Sequence, residues 1–120
     1  MSVVVNIYAP TNGDFRRVFY VLNDQGKVRD DIYQSTLLMH VRDNPASELI
    51  RLQAGTDPEV GGMQFMAPLS SGLFVILFPW LDLKNLGAGE YYHDLLEIKP
   101  SGFRSPLWSG KFILNTGVTR

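Results

Sequence analysis

The sequence predicts an all-β fold, an antiparallel β-sandwich of seven to eight short strands. Apolar and aromatic runs of roughly five to nine residues recur along the chain, each closed by Gly, Pro, Asn or Asp. Helical spacing is nearly absent: only at 80–86 do Trp80, Leu83 and Leu86 share a stripe, over one or two turns. The runs at 18–22, 37–39 and 73–78 are apolar on both faces, which suits the middle of a sandwich or a strand covered by a partner chain.

Taken in order, residues 3–8 read as the first strand, closed by Ala9-Pro10-Thr11-Asn12-Gly13. Residues 15–22 form the second and turn at Asn23-Asp24-Gln25-Gly26; 34–42 form the third, ended by Asp43-Asn44-Pro45. A short alternating run at 48–52 sets Leu49 and Arg51 opposite to Ile50 and Leu52. Residues 62–67 and 73–78 are separated by Pro68-Leu69-Ser70-Ser71-Gly72, and 90–98 and 108–115 by Lys99-Pro100-Ser101-Gly102. No internal repeat or linker interrupts the series, so residues 1–120 read as a single domain.

A local pattern places the sandwich among immunoglobulin-like ones. Leu86-Gly87-Ala88-Gly89-Glu90-Tyr91 has the Leu-x-x-Gly-x-Tyr form of a tyrosine corner, with Leu86, Gly89 and Tyr91 as its residues. There a Tyr entering a late strand returns its hydroxyl to the backbone a few residues upstream. Gly89 would supply the backbone freedom that the corner needs.

Composition narrows the function classes. The 120 residues are 45% hydrophobic and 19% charged with a net charge of −1, which excludes a disordered chain. Basic residues are dispersed apart from Arg16-Arg17 and the nearby Lys27 and Arg29, which read as the solvated side of a hairpin. A nucleic-acid partner is therefore not expected, since phosphate binding calls for clustered cations. The absence of cysteine favours a protein made in a reducing cytoplasm. Residues 1–6 lack the features of a signal peptide, and the most apolar run, 73–78, is far shorter than the ~20 residues of a membrane helix, so no membrane partner is expected.

The residues assemble no reaction centre, and the expectation is a protein that is not an enzyme and carries no cofactor. His40 and His93 each fall inside a strand, without a second ligand at metal spacing, and read as half-buried strand residues. Ser70-Ser71-Gly72 and Ser109-Gly110 lack a nucleophile elbow, and Gly61-Gly62 and Gly87-Ala88-Gly89 lack the context of a phosphate loop. The carboxylates Asp30-Asp31, Asp57 with Glu59, and Glu90 with Asp94 and Glu97 read as solvated turn charges rather than an acid–base pair or calcium loop. Tyr8, Tyr20, Tyr33, Tyr92, Trp80 and Trp108 are explained by core packing and protein contacts, with a sugar-stacking platform as the alternative.

Distributed landmarks carry a family resemblance across nearly the whole chain. They are Gly13-Asp14-Phe15-Arg16-Arg17 before an apolar strand, the Asn23-Asp24-Gln25-Gly26 turn, the polar Arg29-Asp30-Asp31-Ile32-Tyr33, and a strand ending Met39-His40-Val41-Arg42. The corner at Leu86 to Tyr92, His93-Asp94-Leu95, Pro100-Ser101-Gly102, Trp108-Ser109-Gly110-Lys111-Phe112 and the ending Gly117-Val118-Thr119-Arg120 complete them. In this order they resemble a family of small structural proteins of tailed phages and prophages. The strand plan is also similar to the N-terminal domain of phage baseplate upper proteins. His93 in place of an aromatic residue, Leu96-Glu97 in reversed order and Asp31-Ile32-Tyr33-Gln34 in place of an Asp-Leu-Thr-Gly turn depart from that pattern.

The resemblance supplies no catalytic residue. It implies a virion component of the neck, collar, tail or capsid surface, assembled in the bacterial cytoplasm, with other virion proteins and copies of itself as partners. A host-receptor or carbohydrate-binding module and an inhibitor of a host protein are the alternatives. The strands at the chain ends, 3–8 and 108–115, are expected to leave open sheet edges, and the polar tail Thr116, Gly117, Val118, Thr119 and Arg120 is a candidate docking element.

Overall fold

Nine strands and one short helix form two packed sheets in a computed structural model that describes residues 3–116. The larger sheet has β1 (Val3–Val4), β9 (Arg104–Asn115), β8 (Gly89–Ile98), β4 (Thr36–Arg42) and β5 (Leu52–Gly55) in that order, with β2 (Ile7–Pro10) also on β9. The smaller sheet has β3 (Phe15–Tyr20), β7 (Leu73–Phe78) and β6 (Met63–Phe65). The fold is thus the expected all-β sandwich. Its named pairings are antiparallel except at one edge, where β1 and β2 run parallel to β9.

Alternation along the strands builds the core. In β8, Tyr91, His93, Leu95 and Glu97 point inward, and in β4 so do Leu37, Met39 and Val41. From the smaller sheet, Phe15, Phe19, Phe74, Ile76 and Phe78 meet them. Aromatic rings join the layers: Phe112 lies 6.3 Å from Phe15 and 5.8 Å from Phe78, while Trp108 lies 5.8 Å from Phe19 and 6.1 Å from Phe74. Burying a side chain such as Phe74 or Phe112, both 0% exposed, contributes about 2–3 kcal/mol.

The helix α1 (Trp80–Leu86) occupies the span that the stripe at 80–86 predicts. Pro79 precedes it, Gly87 stops it at φ +90°, and Leu83 is its buried anchor. The predicted first strand is instead two, because its course changes at Val5 and Asn6. The Val5 carbonyl occupies the space a side chain at residue 110 would need, so Gly110 allows the crossing. There the Asn6 Oδ1 takes the place of a ladder carbonyl and accepts from the Lys111 N–H at 3.0 Å.

Two further expectations are corrected. Residues 48–50 are not strand; the strand begins at Leu52 and continues to Gly55, where the chain can pair with β4. The run at 108–115 is not an edge, because β9 lies between β8 and the two N-terminal strands. The open edge of the smaller sheet on that side is β3.

Candidate docking surface

Side chains alternate about β3 and β7, and their outward set is apolar apart from Arg16. Val18 pairs with Val75, Tyr20 with Leu73, and Arg16 with Leu77. Since the inward set faces the other sheet, this second apolar face meets solvent: Val18 is 38% exposed, Tyr20 51% and Leu77 41%. Arg16 and Arg17 on the same strand are also exposed, and neither has a carboxylate partner among the described residues. The Arg17 guanidinium lies 5.1 Å from the centroid of the Phe19 ring.

A groove of about 860 Å³ runs between β3 and the start of the larger sheet, walled by Val3, Val5, Tyr20, Leu107 and Trp108. The Trp108 Nε1–H is buried and has no acceptor among the described residues. A second groove of about 560 Å³ crosses the outer face of the larger sheet, where Tyr8 and Tyr92 flank Arg42 and Asp94.

Each histidine has a local structural role. His40 faces Arg42 at 3.1 Å, and Arg42 donates to Asp94, also at 3.1 Å. Burial, with the neighbouring Arg42 charge, lowers the pKa of His40. His93 is inward, with Nε2 at 2.6 Å from the Val5 carbonyl, so it pins the β1–β2 crossing. Its burial lowers its pKa, against the opposing effect of that hydrogen bond. No three His, Asp or Glu side chains among the described residues converge as a metal-binding group.

The corner residues come together. The Tyr91 hydroxyl lies 3.0 Å from both the Leu86 and the Gly87 carbonyls, its single proton shared between them. Gly87 and Gly89 both take positive φ here, so the backbone freedom attributed to Gly89 is divided between the two. Of the tail, Thr116 is exposed beside α1. Gly117, Val118, Thr119 and Arg120 lie outside the described residues.

No protein-family model and no curated protein matches the chain. Among solved structures it is similar to the soluble domain of PmoD from Methylocystis sp. ATCC 49242 (Rockwell), at 13% identity with a TM-score of 0.51. The match covers 90% of this chain and 77% of that one. The likeness shows a shared fold.

Sequence reasoning flagged 18–22 and 73–78 as apolar on both faces, and these strands supply the exposed patch. It missed the groove beside β3, because that groove joins residues 3–5, 17–22 and 105–108. The doubling of apolar faces in adjacent runs was the available signal.

Proposed function

We propose that this protein is a non-enzymatic structural component of a bacteriophage particle, at the neck, collar, tail or capsid surface, and that it works by docking onto other virion proteins in a symmetric assembly. The observation that carries the docking role is the apolar outer face of the smaller sheet, centred on Val18, Tyr20 and Leu77. A contiguous apolar sheet face rimmed by charge is typical of a protein contact. The landmarks running from Gly13 to Arg120 support the phage assignment. Assembly in the host cytoplasm and residence in the virion follow from that assignment.

The test has two parts. Purified particles analysed by mass spectrometry should contain this chain in a fixed ratio to the major structural proteins. The variant Leu77→Glu places a charge on the exposed face without touching the core. It should fold with an unchanged melting temperature and be depleted from particles at least about tenfold, the effect of losing roughly 1.4 kcal/mol of contact energy. Absence of the wild-type chain from particles sinks the phage assignment, and normal incorporation of Leu77→Glu moves the contact to another face.

A further inference from the structure

The smaller sheet ends at β3, whose other side has no paired strand among the described residues. Such an edge offers unpaired N–H and C=O groups to a strand from outside. An added strand would find apolar surface on both sides of itself. Val18 and Tyr20 form the outer face, while Val3, Val5 and Trp108 line the groove toward the inner one. Arg16 and Arg17 supply two exposed cations along the same edge.

The same chain carries a segment with the complementary pattern. Residues 47–50 lie outside any helix or strand and lead into β5, held there by the Arg51 N–H on the Val41 carbonyl at 2.7 Å. Leu49 is 62% exposed and Ile50 39%, next to an exposed Glu48 that has no cationic partner among the described residues. In an extended conformation successive side chains point to opposite faces. Leu49 and Ile50 would then meet the two apolar surfaces flanking β3, one each, and Glu48 would meet the arginines.

We propose that copies of this chain assemble head to tail, residues 47–50 of one copy adding as a strand to the free edge of β3 in the next. The contact uses two different surfaces of one molecule. It is therefore heterologous, and it closes into a ring when the rotation between copies permits. This deepens the docking role proposed above and rests on it, by naming a second copy as one partner. The two fail separately, since particle composition does not report on self-association of the purified chain.

Sedimentation velocity of the purified protein over a concentration series tests it. The wild type should form species larger than the 13.5 kDa monomer. Arg16→Glu/Arg17→Glu disables the acceptor edge and Leu49→Asp/Ile50→Asp disables the donor segment, so each alone should sediment as a monomer. Mixed one to one, the two variants retain one intact donor and one intact acceptor, and should form dimers of about twice 13.5 kDa and nothing larger. Glu48→Arg mixed with Arg16→Glu/Arg17→Glu restores opposite charge at every contact between unlike copies, and should again form species larger than a dimer. That second pair decides the matter if the aspartate variant does not fold. A wild type that remains monomeric to millimolar concentration, or variants that still assemble alone, overturns the proposal. So does a mixture that stays monomeric while both variants are folded by circular dichroism.

Discussion

Glu97 lies on the inward side of β8, 1% exposed, and is held by Arg29 at 2.7 and 3.0 Å and by the Ser35 hydroxyl at 2.6 Å. Burial alone would raise its pKa, but the Arg29 and Ser35 hydrogen bonds outweigh it and hold the carboxyl below its ordinary value. A carboxylate so held stabilises the fold above its unfolded pKa of about 4.3, and that contribution is lost as pH falls through the lower folded value. His93 adds a loss that begins earlier. Its folded pKa is lowered, so below about pH 6.5 the unfolded chain takes up the proton first. Urea denaturation against pH should therefore show stability falling in two stages. Glu97→Gln should cost about 2–3 kcal/mol at pH 7, because Arg29 loses its buried charge partner and keeps only the exposed Asp31 at 3.3 Å, and should remove the lower stage. An equal penalty at pH 7 and pH 2 would show that charge is not the cause. Tyr91→Phe removes the hydrogen bond that closes the corner and should cost about 1 kcal/mol or more by the same measurement.

At the scale of elements, the crossing of residues 5–6 over β9 decides how the N-terminal strands attach. Gly110→Ala would drive a methyl into the Val5 carbonyl, which also receives the His93 hydrogen bond. It should destabilise the protein by about 2–4 kcal/mol, with faster hydrogen exchange at residues 3–10 than in β4 and β8. Uniform protection would show that the crossing adjusts without detaching β1 and β2. The helix and the corner were legible from sequence because their signals are local: Pro79 and Gly87 bracket Trp80, Leu83 and Leu86, and Tyr91 bonds only five residues back. The split of the first strand was not, because its cause, Gly110, is more than 100 positions away. Alternation at 48–52 likewise could not reveal that pairing with β4 begins at Leu52. The apolar patch was half legible. The sequence marks 18–22 and 73–78 as two-faced, but only the layering shows that β3 and β7 have their second face uncovered.

For the whole molecule, the order of strands also fixes how it bears load. β1 and β2 lie parallel to β9, with Val3 beside Trp108 and Pro10 beside Asn115. A pull applied at Val3 and at Asn115 draws the first strands toward their N-terminal end and β9 toward its C-terminal end. The two slide against each other, and the hydrogen bonds from Val3 to Pro10 must fail together instead of opening one after another from an end. The Val5–Gly110 crossing and the Asn6–Lys111 bond lie within that same seam, acting as a keyed joint against slippage. Forced unfolding is governed by the barrier to leaving the native state rather than by its equilibrium stability. Tension along this axis therefore meets a far stiffer element than the modest length of β1 and β2 implies.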